Sequence, residues 1–129
     1  MTVYLSAENV LAITEYAVGS QGAVVRDVGL VAAAARRPSA PALRGAEAYP
    51  DLFDKAAALL HSLAFDRAFV YGNRRTAWLS CVVFLALNGV QLRPDTDAAE
   101  RLISAVATGA LEEVKVIGEA LRELAEREM

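Results

Sequence analysis

The chain is 129 residues long, 55% hydrophobic and 22% charged, with a formal net charge of −3. That size and a mean hydropathy of +0.31 suit one domain with a single core and argue against a disordered chain. The pI of about 5.1 argues against a protein that coats a polyanion; the one cysteine, Cys81, excludes an intrachain disulfide and suits a reducing compartment.

Ser6 is a candidate N-cap, and Leu5, Val10, Ile13 and Ala17 fall near one stripe, which predicts a helix over Ala7–Val18 stopped by Gly19. After a glycine-containing loop, Asp27 caps a second helix, Val28–Arg37, which Pro38 ends. Between Ser39 and Pro50, the residues Pro41, Gly45 and Pro50 break every periodic pattern, so an exposed loop or irregular hairpin is expected. Asp51 caps a helix over Leu52–Ala64, with Asp54 as a near capping box and an apolar face of Leu52, Phe53, Ala56, Leu59, Leu60 and Leu63. Phe65–Asn73 is polar and irregular. Arg74–Leu87 is almost uniformly apolar and predicts a central buried helix, closed by Asn88 and Gly89. Val90–Leu92 reads as a short extended piece before Pro94. Helices follow over Asp97–Ala107 and Leu111–Arg127, separated by Thr108 and Gly109. The last carries the Glu119/Glu123 and Arg122/Glu126 spacings of a solvated face. The expected architecture is all-α: a single domain over residues 1–129, with five or six helices and one hydrophobic helix wrapped by the others.

Met1–Leu5 has neither the basic flank nor the apolar core of a signal peptide. The longest apolar run, Ala77–Leu87, is broken only by Ser80 and is too short to span a bilayer. One histidine and one cysteine are too few soft ligands for a structural zinc site. A soluble cytoplasmic protein is expected, with no membrane or direct nucleic-acid partner and no protein-bound metal.

The chemistry points to residues 65–78. Gly72 and Asn73 stand just before the long apolar helix, and Arg74 and Arg75 open it. A helix N-terminus presents unpaired N–H groups and a positive dipole end. Helix-dipole logic would place acids in that turn; two arginines there make sense if a phosphate fills the site. The alternative is that both pair with acids such as Asp66, Asp51 or Glu47. His61, the lone histidine, reads as a partly buried structural residue, and Cys81 as a small buried hydrophobe. Trp78 and Phe69 read as core anchors, the Trp78 ring also bordering the site.

Arg67-Ala-Phe-Val-Tyr-Gly-Asn-Arg-Arg, residues 67 to 75, resembles the Fic/Doc signature His-x-Phe-x-Asp/Glu-Gly/Ala-Asn-x-Arg. The continuation to Val90, together with Arg26–Leu30, Tyr49–Pro50, Lys55–Leu63 and Ala107–Gly109, is similar to the death-on-curing (Doc) branch. The likeness runs over nearly the whole chain. Adenylylating members carry Gly-Asn-Gly-Arg-x-x-Arg; here the second glycine is Arg74 and the last arginine is Trp78, as in the Doc branch. The resemblance implies an all-α fold with a flap at Ser39–Pro50 beside a target polypeptide. It implies a toxin that moves phosphate from ATP to elongation factor Tu and so arrests translation. It also implies an antitoxin protein that supplies a helical inhibitory segment. Gly72, Asn73, Arg74 and Arg75 would then hold the nucleotide phosphates.

Two positions depart from the family pattern. The catalytic histidine falls at Arg67 and the magnesium-binding acid at Tyr71. Arginine stays protonated and cannot act as a general base, and a tyrosine hydroxyl is a poor magnesium ligand beside a carboxylate. The resemblance therefore implies a nearly inactive chain, either a detoxified toxin or a natural relative that binds nucleotide or antitoxin without catalysis. Thr108 and Glu112 have the spacing of the family's internal inhibitory motif, but Glu113 follows where Gly or Asn is required, so inhibition from a separate partner is expected.

Overall fold

The computed structural model describes residues 1–93 and 95–125. Its six α-helices are α1 (Ala7–Val18), α2 (Val28–Arg36), α3 (Leu52–Phe65), α4 (Asn73–Leu87), α5 (Thr96–Ala107) and α6 (Val114–Leu124), and no β-strand occurs among the described residues. The all-α expectation agrees with this architecture. No described helix is long and apolar enough to cross a membrane.

The caps expected at Ser6, Asp27 and Asp51 are used, and Asp95, not singled out from sequence, caps α5. Ser6 and Asn9 form a reciprocal capping box on α1, and Asp27, Asp51 and Asp95 accept first-turn N–H groups of α2, α3 and α5. Asn88 closes α4 and ties the N-terminal segment to it, donating from Nδ2 to the carbonyls of Val3 and Phe84 and accepting from the Val3 N–H. The Val90–Leu92 piece is extended: Leu92 bridges to Ala125, and the Arg93 N–H donates to the Leu124 carbonyl.

Two expectations need correction. The most buried helix is α3, with nine of its fourteen residues buried, against seven of fifteen in α4. Ala56, Ala57 and Ala58 are fully enclosed, and their small side chains let α2, α4, α5 and α6 all close on α3. The uniformly apolar composition of α4 hides a half-covered helix on which Trp78, Leu79, Val82 and Val83 are only partly buried and Leu87 is exposed. The last helix starts at Val114, not Leu111, because Glu113 is its extended N-cap. The part of that expectation beyond Ala125, with the Arg122/Glu126 spacing, lies outside the described residues.

The Ser39–Pro50 segment is an irregular hairpin. Pro41 and Glu47 form an antiparallel bridge, the Ala42 N–H donates to Ala46 O and the Ala48 N–H to Ala40 O, around a tight turn at Leu43–Gly45.

Candidate functional site: an arginine-lined cleft at a helix N-terminus

The loop from Asp66 to Gly72 is held by its backbone. The N–H groups of Arg26 and Asp27 both donate to Ala68 O, the Val70 N–H donates to Val24 O, and Val25 bridges to Phe69. Arg26 adds a fork: Nε donates to Arg67 O at 2.7 Å and Nη2 to Asp66 O at 2.8 Å. These bonds fix Arg67 in the left-handed region, at φ 56, which non-glycine residues seldom occupy. The Phe69 ring is buried as the loop's anchor. Asn73 closes the loop: its Oδ1 accepts from the Phe69 N–H at 3.0 Å and its Nδ2 donates to Phe69 O at 2.8 Å. Placed by sequence among the phosphate ligands, Asn73 is buried here and shapes the cradle through this clasp.

Gly72 is the N-cap of α4, at φ 80, and no side chain caps the helix. A Cβ at Gly72 would stand 2.6 Å from Val18 Cγ1, so glycine is required both by the turn and by the close approach of α1. The first main-chain bond at this end is from the Thr76 N–H to Gly72 O, which leaves the N–H groups before it directed outward at the positive end of the dipole.

That end opens into a cleft of about 570 Å³, whose wall includes Val18, Gln21, Arg67, Tyr71, Gly72, Arg74 and Arg75. All six residues singled out from sequence are thus brought together in this wall, five with exposed or half-exposed surface and Asn73 buried. Three arginines and no carboxylate line it. The alternative of acid partners for Arg74 and Arg75 is not realised among the described residues: Glu47 pairs with Lys55 and Asp51 with Arg122. Arg74 Nη1 donates to Ser104 Oγ at 3.1 Å, and Arg75 Nη1 to Ala17 O at 2.9 Å, where it caps the end of α1. Both keep donors for a ligand, since a guanidinium carries five N–H bonds.

A magnesium ion does not fit this wall. Tyr71 turns its hydroxyl onto the loop after α1, where the proton is shared between Gln21 O at 2.9 Å and Gly22 O at 2.6 Å. That bond engages two backbone carbonyls and the only side-chain oxygen at position 71. Hard cations need oxygen ligands, usually carboxylates, and the cleft has none. Phosphate groups do fit, with guanidinium forks on two sides and helix N–H groups at the base.

Arg74 and Arg75 also wall a neighbouring cleft of about 650 Å³, with Tyr16, Trp78, Leu79 and Ile103 as its apolar part and Asp95 and Glu100 as its acids. Trp78 packs against the core and lines this second cleft; it is not part of the wall of the first, where its ring was expected to border the phosphate site. Away from these clefts' walls, buried Lys55 moors the flap, donating to Glu47 Oε1 at 2.8 Å and to Pro38 O at 3.4 Å, over the Tyr4 ring. Burial works against the charge of Lys55, yet Glu47 and Tyr4 prevail and hold its ammonium group above the usual lysine range. Arg37 holds the flap's other root, donating to Tyr49 Oη, Ser62 Oγ and His61 Nδ1. His61 accepts from arginine, so its own proton sits on Nε2; it stacks on Phe65 and is structural, as read. Burial, then the Arg37 charge, hold its pKa below the ordinary histidine value. Burial pushes the Cys81 thiol up to about 12, which leaves it inert. Sequence reading passed over Arg26, Arg37 and Lys55, although the segments holding Arg26 and Lys55 carry part of the family likeness.

The comparisons with known proteins agree with the geometry. A family model described as "Fic/DOC family" matches residues 4–85. A protein of Mycolicibacterium smegmatis (strain ATCC 700084 / mc(2)155) named Toxin Doc is 52% identical over 110 residues, which cover 84% of this chain and 83% of that protein.

Proposed function

The chain belongs to the Fic/DOC family, and on that premise we propose that it is the toxin of a toxin–antitoxin pair, with an intact phosphate cradle and disabled transfer chemistry. One observation carries the reading: the segment that matches the family motif, a loop and the first turn of α4, brings Arg67, Arg74 and Arg75 to one carboxylate-free cleft at the N-terminus of α4. With ATP as the nucleotide, Arg74 and Arg75 face its phosphates, Gly72 gives the backbone close approach, and Asn73 holds the loop in shape. Elongation factor Tu is the proposed target, its hydroxyl reaching the phosphate past the flap.

Transfer to a hydroxyl requires a base to take the proton and charge stabilisation at the phosphate. Arg67 supplies no base, and the loss of general-base help alone slows such reactions by about 10²–10⁴-fold. Arg67 sits in a left-handed backbone conformation that histidine, like Asn and Asp, adopts more readily than most residues, so Arg67→His should be accommodated by the loop. The neighbouring cleft, with its apolar Trp78, Leu79 and Ile103 and with Tyr16 75% exposed, is the proposed berth of the antitoxin's helical segment.

Label transfer tests the reading. Purified elongation factor Tu is incubated with γ- or α-labelled ATP and either this chain or its Arg67→His/Tyr71→Asp double variant. The expected result is γ-label transferred by the double variant and far less by the parent chain. Transfer of α-label would make the protein an adenylylating enzyme. No label from a folded double variant would leave a binding protein and overturn the kinase assignment.

A further inference from the structure

We propose that the arginine-lined cleft binds polyphosphate without a metal, the Arg67 guanidinium supplying the positive charge that a divalent cation otherwise brings with the ligand. This rests on the phosphate-cradle reading above and adds the form of ligand that the cleft selects: the free polyanion, such as fully ionised ATP or pyrophosphate, over its magnesium complex.

Charge is the first ground. The chain as a whole is net negative at −3, yet this wall carries three guanidinium groups and no carboxylate. They come from two elements, Arg67 from the loop and Arg74 and Arg75 from α4, so the charges converge on the cleft. A magnesium ion on the phosphates would enter this field unaccompanied by any anionic ligand from the protein and would cancel the charge that the arginines attract.

Oxygen donors are the second ground. The Gln21 and Gly22 carbonyls, which could ligate a cation, already share the Tyr71 hydroxyl proton. Asp95 and Glu100 line the neighbouring cleft, and Asp66 lines a separate depression with Arg36 and Arg37. No cluster of His, Cys, Asp and Glu suited to a metal occurs among the described residues. A guanidinium, by contrast, binds phosphate oxygens bidentately and requires no further ligand.

Isothermal titration calorimetry decides the question, with ATP and with pyrophosphate as probes, at matched ionic strength, in EDTA and in excess magnesium. The expected result is binding in EDTA that weakens severalfold when magnesium saturates the probe. Arg67→Asn removes the charge and suits the left-handed backbone at that position, so it keeps the melting temperature; it should weaken binding in EDTA by about tenfold or more and remove most of the magnesium effect. Binding that requires magnesium, or is indifferent to it, overturns the inference and leaves the phosphate cradle standing. Undiminished binding by Arg67→Asn overturns the role given to Arg67. No binding of either probe under either condition overturns both the inference and the cradle on which it rests.

Discussion

Tyr71 has one hydroxyl proton and two carbonyls that face it, those of Gln21 and Gly22. The residue at the place of the family's metal-binding acid has thereby become a latch between the motif loop and the loop after α1. Its neighbour Asn73 does a different job, satisfying a buried N–H and a buried carbonyl of Phe69 at once. The two should separate on substitution. Tyr71→Phe loses a half-exposed bond, and urea melts should show a loss of roughly 1 kcal/mol. Asn73→Ala strands two buried backbone groups, and the same melts should show about 2 kcal/mol or more. Both motif positions were legible in the sequence because the signature fixes their order, and so was the departure of Tyr71 from the acid of that signature. The direction in which each side chain turns was not, since the partners of Tyr71 lie 50 and 49 residues away and share no local pattern with it.

Among the elements, the flap has the most unusual support: a lysine with side-chain exposure of 2% holding a glutamate with side-chain exposure of 53%. Replacing either member has unequal consequences. Lys55→Met removes the charge and keeps an apolar stem in the core, whereas Glu47→Gln leaves a buried cation without its anion. Glu47→Gln should therefore be the more destabilising of the two in urea melts, and both should speed amide exchange over residues 39–50. The hydrogen bond from Lys55, then its charge, hold the Glu47 carboxyl below the usual range. The contribution of that pair is thus present above the ordinary glutamate pKa and is lost as pH falls through the depressed value. At the flap's other root, His61 is held below the ordinary value of 6.5 by burial and by Arg37, with Asp66 and Glu112 opposing. The unfolded chain takes up that proton first, so stability should be full above 6.5 and decline as pH falls toward the depressed value. Melting temperatures from pH 8 to pH 5 check this, and His61→Gln should flatten that part of the curve. The helices that carry these residues were readable from their caps and stripes. The ranking of α3 over α4 was not, because the sequence shows how apolar a residue is and not how closely its neighbours approach; three consecutive alanines are fully enclosed while adding little hydrophobic signal.

At the scale of the whole molecule, two clefts share Ala17, Arg74 and Arg75 as a common wall. A polyanion in one and a helical segment in the other would compete for the same guanidinium groups, and such coupling is reciprocal. Tyr16 belongs to the second cleft only and is 75% exposed. Tyr16→Ala should therefore leave the melting temperature and pyrophosphate binding unchanged while weakening association with the antitoxin by about tenfold or more, measured by calorimetry with the purified partner. The Arg26 fork governs the same wall from behind. It grips the carbonyls of Asp66 and Arg67 and is indifferent to the side chains those residues carry. Arg26 thus supports the loop through its backbone alone, like a chuck that accepts different bits. Because the fork holds main-chain carbonyls, the side chain at position 67 can be exchanged while the bonds beneath it stay as they are.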